Sequence, residues 1–299
     1  MQSMPMLRSS QEGGRRRLRP GLMVAGAAVA LWGITQRGGA GAPEHHVPEP
    51  AFLGSKMRNV SAVVREMFPG ARKGQTIVAR ALKAVRPYGV RAGNTIYGQS
   101  ICSDEINGDK GHAPAILAKH FGRSFPLGGI GGAPYVGKTG FMAFSHHVPD
   151  DGHVFVIFGP HIGLTMDAEA AKFLREGQAE VSTACGAVVA AYSQCSSGMA
   201  VGSDPQDAQQ VWLRSKLKSK VGAVRRSDNP MVELIMQAYK AVEEEVLAIV
   251  NTDYGSGNLV LLGGIQINMP YPMNGFWMPL HFSVRSAEKE PVDLMDVFA

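Results

Sequence analysis

The sequence predicts an α/β fold in which helices flank a central, largely parallel β-sheet. The stretches 95–101, 153–158 and 258–269 are short and rich in apolar or β-branched residues, which is typical of strands buried on both faces. Segments with apolar residues at helical spacing alternate with these stretches. Alternation of this kind indicates helices packed against a parallel sheet.

Helices are predicted where apolar periodicity ends at Pro or Gly. Asn229-Pro230 opens the clearest helix, because Asn caps a helix well and Pro suits its first turn. Ser182-Thr183 is expected to cap another helix that begins around Cys185. The other predicted helices begin near Lys56 and span 74–85, 112–121 and 205–220.

Two weaker strands are predicted beside the three buried ones. Residues 141–148 carry enough apolar and β-prone side chains for a strand, and 282–284 is expected to form an edge strand. Glycines at 128–132 predict a bend. This glycine-rich stretch does not match the spacing of a phosphate-binding loop, so a nucleotide site is not indicated.

The first fifty residues are interpreted as a targeting segment and linker, and 51–299 as the folded domain. Six arginines and one glutamate occupy the first forty positions. The apolar run at 21–34 is shorter than the roughly 20 residues that span a bilayer, so it resembles a cleavable targeting core. A secretory route, or a membrane anchor through 21–34, remains an alternative.

Composition narrows the possible partners. The formal net charge is +5, and much of the excess lies in the first forty residues. No basic stripe interleaved with aromatic residues follows, so nucleic acid is not an expected partner. Three cysteines do not make a disulfide scaffold, and they fit buried or metal-binding thiols better.

Three residues are placed where an α/β fold collects functional groups. Cys102 and His161 each follow a predicted strand, and Cys185 lies at a predicted helix start, where the helix dipole favours a thiolate. Two thiolates and an imidazole suit Zn²⁺ and leave a fourth position open. No CxxC or HExxH motif enforces this interpretation, so a buried thiol and a hydrogen-bonded structural histidine remain alternatives.

Four blocks of sequence resemble the limiting-CO2-inducible protein B family, which is similar to β-class carbonic anhydrases and is sometimes called the θ class. The resemblance covers nearly everything from about residue 55 onward. It implies a β-carbonic-anhydrase-like zinc fold, usually dimeric, with Cys102, His161 and Cys185 as the metal ligands. The blocks are CSDEIN at 102–107, SHHVPDDGHVFVIFGPHIG at 145–163, STACGA at 182–187 and LLGGIQINM at 261–269.

One departure from the β-class pattern concerns the arginine of Cys-x-Asp-x-Arg. Asp104 is present, but Ile106 occupies the arginine position. A partner arginine must come from elsewhere, and Arg91 and Arg123 are the candidates. Asp104 is expected to accept a hydrogen bond from the reacting water, or else to take the fourth metal position and close the site.

The resemblance implies zinc-dependent, reversible hydration of carbon dioxide to bicarbonate within a carbon-concentrating mechanism. His147 or His153 is expected to carry the released proton, because histidine titrates near neutral pH. The alternative is an inactive scaffold or regulatory subunit with the same fold. A homodimer is expected, partly from the apolar segment at 269–280, and the targeting segment favours a plastid.

Overall fold

A computed structural model describes residues 50–251, 253–286 and 289–299, and the side chains from residue 59 onward. The predicted targeting segment, with its apolar run at 21–34, therefore lies outside the described residues except for Pro50. In the described ranges, no helix has both the length and the apolar character needed to cross a membrane.

The helices follow the predicted order closely. The predicted spans at 74–85 and 230 onward are confirmed, and the predicted 205–220 helix is a shorter α-helix, Ala208–Leu217, followed by a 3-10 turn at Lys218–Lys220. The helices are α1 Pro50–Met67, α2 Gly74–Val85, α3 Ala113–Phe121, α4 Gly137–Ser145, α5 Gly186–Ser196, α6 Ala208–Leu217, α7 Val221–Arg226 and α8 Pro230–Val250.

The strands confirm the three buried stretches predicted from the sequence. They are β1 Arg72–Lys73, β2 Thr95–Ile101, β3 Phe125–Pro126, β4 His153–Gly159, β5 His161–Gly163, β6 Lys172–Phe173, β7 Ser182–Thr183, β8 Leu259–Asn268, β9 Phe276–Ser286 and β10 Lys289–Asp293. β6 and β7 form a separate antiparallel pair.

The main sheet has the order β1-β9-β8-β4-β2-β3, and β10 also pairs with β9. β3, β2, β4 and β8 run parallel, whereas β9, β1 and β10 join as antiparallel strands. After Pro160, β5 continues the pairing of β4 with β8 in the same register, from Phe158 opposite Gly263 to His161 opposite Gln266. The central sheet is therefore mostly parallel, as predicted.

Two apolar layers cover the sheet. One layer joins β4 and β8 to α1, α4, α5, α6 and α8, and the other joins the opposite face to α2, α3 and the final turn at Met295–Phe298. Along α8, Leu234, Ala238 and Val242 are buried at helical spacing. Helices on both faces explain why β4 and β8 are buried at every residue.

One strand prediction is wrong, and another is right about the strand but wrong about its place at the edge of the sheet. Residues 141–148 lie mostly in α4, where Phe141, Phe144 and Ser145 are buried at the i, i+3 and i+4 spacing of a helix. The predicted edge strand at 282–284 belongs to the eleven-residue β9, which lies between β8 and β10. Short apolar runs do not distinguish the two periods well, because few residues sample each face.

The apolar segment at 269–280 is mostly interior. Trp277 is fully buried and Phe276 is 2% exposed, because β9 packs both against the core of the chain itself. The argument that this segment needs a second subunit to cover it is therefore wrong. Tyr271, which is 95% exposed, and the exposed Pro272 and Asn274 are the exceptions.

Candidate metal centre

The carboxyl-terminal edge of the sheet brings Cys102, His161 and Cys185 together. Cys102 directly follows β2, and His161 begins β5 just after the end of the neighbouring parallel strand β4. Cys185 caps the amino terminus of α5, a position that the sequence assigned to Ser182-Thr183. Those two residues form β7 instead. Two strand ends and one helix start therefore meet at one point.

The three side chains have the spacing of a metal site. The sulfur atoms of Cys102 and Cys185 lie 3.6 Å apart, and the donor atoms of all three residues lie within 4.8 Å of one another. Tetrahedral zinc with bonds of about 2.3 Å to each sulfur would set a sulfur–sulfur distance of about 3.8 Å. Of the described residues, these three buried side chains form the cluster able to hold a metal ion.

The ring of His161 is oriented by an amide. Asn268 Nδ2 donates to the carbonyl oxygen of Ile106 at 3.1 Å and to Asn107 Oδ1 at 3.2 Å. Its oxygen therefore faces His161 Nδ1, which donates to it over 2.8 Å. This bond leaves the lone pair on Nε2, a buried atom without a hydrogen-bond partner among the described residues. An imidazole with one nitrogen anchored and the other unpaired is the arrangement of a metal-binding histidine.

The surroundings of Cys102 favour its thiolate form. Gly131 N–H donates to Cys102 Sγ at 3.1 Å. The hydrogen bond from Cys185, together with His161 and against the effect of burial, lowers the pKa of Cys102 to about 4. The same hydrogen bond and burial raise the pKa of Cys185. Burial disfavours charge on His161, but the Cys102 thiolate outweighs it and raises the pKa of His161.

Asp104 lies beside the cluster and is paired with an arginine. Its Oδ2 lies 3.5 Å from His161 Nε2 and accepts a hydrogen bond from Arg175 Nη2 at 2.8 Å. Arg175 Nε also donates to Glu105 Oε1 at 2.7 Å. Burial raises the pKa of Asp104, while the charges of His161 and Arg175 act in the opposite direction. The guanidinium thus holds the carboxylate next to the possible metal ligands.

Comparison with known proteins places this arrangement in a family. The sequence profile of the limiting CO2-inducible proteins B/C beta carbonic anhydrases matches residues 71–286. The chain belongs to this family. No curated protein matches the chain.

Solved structures of the family are similar to this chain. The crystal structure of PtLCIB4, described as a homolog of the limiting CO2-inducible protein LCIB, is 30% identical, with a TM-score of 0.71 over 78% of this chain and 98% of that chain. The crystal structure of LCIB itself is 20% identical, with a TM-score of 0.62 over 77% of this chain and 96% of that chain. At 20% identity, the similarity to LCIB shows a shared fold.

The arginine candidates from the sequence are wrong in this family member, because Arg175 is bonded to Asp104. Arg91 precedes β2 and Arg123 precedes β3, and both are exposed. A seven-residue strand such as β2 spans roughly 20 Å at 3.3 Å per residue, so Arg91 and Cys102 lie at opposite edges of the sheet. Arg175 was missed because it is 71 residues from Asp104 and lies between β6 and β7, in no recognisable motif.

The predicted proton carriers are also placed away from the centre. His153 is the first residue of β4, so the length of that strand separates it from His161. His147 is exposed in the connection between α4 and β4, near the same amino-terminal edge. Neither histidine lines the cleft that opens beside the metal ligands.

That cleft has a volume of about 690 Å³. Glu105 and Arg175 form the wall nearest Asp104, and Ile106 and Phe173 supply apolar lining. His112 also lines the cleft, although the sequence had assigned it no role. The cleft thus adjoins the candidate centre through Glu105 and Arg175, although none of the three possible ligands lines it.

The residues present fit zinc. Two sulfurs and one imidazole nitrogen form a donor set that zinc prefers, and the unpaired, buried Nε2 of His161 has no evident role without a metal. Asn268 and Asn107 supply the surrounding hydrogen bonds. Sequence reasoning missed both amides, although Asn107 and Asn268 lie within two of the blocks that carry the resemblance.

Proposed function

We propose that the chain is a zinc carbonic anhydrase that interconverts carbon dioxide and bicarbonate. The observation that carries the proposal is the unpaired Nε2 of His161, buried with the sulfurs of Cys102 and Cys185 and next to an Asp104–Arg175 pair. Family membership supports the same activity.

Bound zinc would supply a water molecule that ionises near neutral pH, at a pKa of about 7. Cys102, Cys185 and His161 would hold the ion, and Asn268 would keep the imidazole in the tautomer that presents Nε2. Three protein ligands leave one position for the reacting water. This open position distinguishes a catalytic site from a structural one.

Asp104 is the residue suited to orient that water. Arg175 Nη2 donates a hydrogen bond to Asp104 Oδ2 at 2.8 Å. This bond would restrain the carboxylate from binding the metal as a fourth ligand. The remaining lone pairs of Asp104 can accept a hydrogen bond from the water and direct its nucleophilic lone pair toward the substrate. Ile106 and Phe173, which pack with Ala184, provide an apolar surface suited to uncharged carbon dioxide.

The test is a stopped-flow measurement of CO2 hydration by the zinc-loaded full chain between pH 6 and 9, with zinc counted in the same sample. We expect about one zinc per chain, bound through two sulfurs, and hydration that rises with pH. A protein that binds zinc but shows no hydration across this range would instead be the scaffold or regulatory subunit. X-ray absorption with only nitrogen and oxygen ligands would contradict the metal site itself.

The cellular role extends the proposal: hydration within a plastid carbon-concentrating mechanism. Its support is family membership and the arginine-rich segment at 1–50, which the structure does not describe. A fluorescent fusion of residues 1–55 is expected to enter the plastid. Retention in the cytosol or delivery to a membrane would contradict this location.

The proposed assembly is a homodimer. Two large apolar side chains support it, because Tyr271 is 95% exposed and Leu174 is 49% exposed at the rim of the cleft. Light scattering is expected to give twice the chain mass, and a Tyr271→Ser variant to shift the equilibrium toward monomer. A monomer mass at both low and high concentration would contradict the dimer.

A further inference from the structure

His112 is a buried histidine that the proposed zinc chemistry leaves without a role. It caps the amino terminus of α3, is 2% exposed and lines the cleft. Its Nδ1 is buried and has no hydrogen-bond partner among the described residues. A buried histidine is ordinarily hydrogen-bonded, so an unpaired nitrogen beside a cleft indicates a functional role.

Gly275 leaves the space that the ring occupies, and Gly74 leaves room for the backbone that carries it. A Cβ at Gly275 would lie 2.4 Å from His112 Nε2, and a Cβ at Gly74 would lie 2.8 Å from the carbonyl oxygen of Gly111. The Gly275 position is also 2.7 Å from Gln266 Nε2, so the ring and this amide converge on one region. Gln266 Oε1 is likewise buried and unpaired among the described residues. The absence of a Cβ at Gly275 thus allows the His112 ring to line the cleft next to Gln266 of β8.

Ile106 and Asn107 link the surroundings of the His112 ring to those of the proposed metal ligands. The carbonyl groups of Ile106 and Asn107 act on the His112 ring. The Ile106 carbonyl also accepts from Asn268, which orients His161, and Asn107 Nδ2 donates to the Cys102 carbonyl at 3.1 Å. Ile106 and Asn107 thus act on the surroundings of the proposed ligands, through Asn268 and the Cys102 carbonyl, and also on the His112 ring.

The electrostatic surroundings keep the ring neutral and able to accept a proton. Burial lowers the pKa of His112, the charge of Asp109 acts against this, and the charge of His161 adds to it. The amino terminus of α3 also disfavours a cationic ring at this position. A neutral imidazole can bind a proton at Nδ1 and lose one again once it is exposed to a base in the cleft.

We propose that His112 carries the proton released by each hydration from the metal centre to the cleft. The proposal rests on the proposed function. Carbon dioxide and water give bicarbonate and one proton; that proton binds His112 Nδ1, and a buffer base entering the cleft removes one from the ring, which returns to its neutral form. His112 thereby takes the role that the sequence assigned to His147 or His153.

The kinetic test uses His112→Ala in the zinc-loaded full chain, with His120→Ala as the matched control. His120 lies on the same helix but is exposed and outside the cleft. We expect kcat to fall at least about 10-fold, while kcat/KM changes less than about twofold, because only proton transfer is removed. Added imidazole should restore kcat in a concentration-dependent manner, and the His120 control should match the unmodified chain.

A second measurement does not use activity. In ¹⁵N-histidine NMR spectra of the full chain, the His112 ring is expected to titrate below the ordinary histidine value of 6.5, with its signal assigned by loss in His112→Ala. Gly275→Ala should displace the ring without removing it and should reproduce the kcat loss. Zinc content and thermal unfolding of each variant establish that the fold is retained.

The outcomes separate this proposal from the proposed function. Hydration by the unmodified chain together with unchanged kcat in His112→Ala would overturn the proton-carrier role alone. A parallel loss of kcat and kcat/KM without imidazole rescue would assign His112 a structural role, and so would a ring that does not titrate between pH 4 and 8. No hydration by the zinc-loaded, unmodified chain would overturn the function, and the proton carrier with it.

Discussion

The two edges of the sheet each bury a histidine next to an asparagine, yet within the described residues only the carboxyl-terminal edge gathers side chains that could hold a metal ion. At the amino-terminal edge, His153 Nδ1 accepts the backbone N–H of Asn258 at 2.9 Å. At the carboxyl-terminal edge, His161 Nδ1 faces the side-chain oxygen of Asn268 at 2.8 Å, and its Nε2 remains unpaired with two sulfurs nearby. Burial and an asparagine partner are therefore not enough to mark a ligand; the atom left unpaired is what distinguishes the two sites.

The hydrogen bonds of the amino-terminal edge have a structural purpose. Asn258 Nδ2 donates to the Tyr88 carbonyl at 2.9 Å, and Asn94 Nδ2 donates to the Gly89 carbonyl at 3.1 Å. Both side chains satisfy backbone carbonyls of the loop that leads into β2, and Asn258, the residue just before β8, thereby ties this loop to that strand. At the carboxyl-terminal edge Asn268 also bonds a backbone carbonyl, that of Ile106, but its oxygen in addition orients the His161 ring, so changes there should affect zinc binding as well as the fold.

Removing a sulfur ligand is the strongest test of this comparison. Cys102→Ser is expected to reduce bound zinc from about one per chain to near zero. Hydration should fall by more than the 10–100-fold that changes around a metal ligand usually cost. Zinc is counted by mass spectrometry of the purified chain. His153→Gln at the other edge serves as the control and should retain zinc; zinc loss in both variants would contradict the distinction.

Asp104→Asn tests the residue that acts without holding the metal. The amide keeps the shape of the side chain but loses the charge and half of the acceptor capacity. Zinc should be retained and hydration should fall at least about 10²-fold, the low end of the range for such contacts. Arg175→Met should also lower the hydration rate, because it removes the guanidinium that holds the Asp104 carboxylate in place. Full activity in Asp104→Asn would remove its proposed role but not the enzyme class.

Asn268 and Asn258, one at each edge of the sheet, give a matched comparison of smaller effects on zinc affinity and on stability. Asn268→Ala removes the acceptor of His161 Nδ1 and should weaken zinc binding by about 10–100-fold. Asn258→Ala should leave zinc affinity unchanged and reduce the free energy of unfolding by about 1–3 kcal/mol, since it leaves a backbone carbonyl unpaired. Competition with a chelator and denaturant titration measure the two quantities. Equal zinc loss in both variants would argue that the edges are equivalent.

The smallest expected effect concerns pH. Burial lowers the pKa of His153 below 6.5, so the folded chain holds this ring neutral. As pH falls through about 6.5, the histidine becomes protonated in the unfolded chain but not in the folded chain. The stability that the neutral ring contributes above this pH is therefore lost progressively, until the pH reaches the lower pKa of the folded chain. His153→Gln should cost about 1 kcal/mol at pH 7.5 and less at pH 5.5. Parallel stability curves for the two proteins would contradict this.

Local signals account for the elements that were predicted well. Asn229 and Pro230 are capping residues, and the Asn229 side chain does accept from Val232 N–H. The continuous apolar run of β4 identified a fully buried strand. The region 141–148 has no such signal, because its phenylalanines at 141 and 144 fit either a short strand or a helix. Only packing of α4 against α8 distinguishes the two.

By itself the sequence determined the order of helices and buried strands, and the three residues that can bind a metal. The family resemblance assigned the three ligands, and chain topology explains why they meet, because the ends of parallel strands and a helix start converge at one edge wherever such a fold forms. Only the tertiary structure decided which arginine pairs with Asp104, which histidine lines the cleft and which histidine nitrogen is left unpaired. Arg175, His112 and Asn268 reach the centre through contacts across long stretches of chain. Neither local propensity nor spacing encodes such distances, since they arise from how packed elements meet in space.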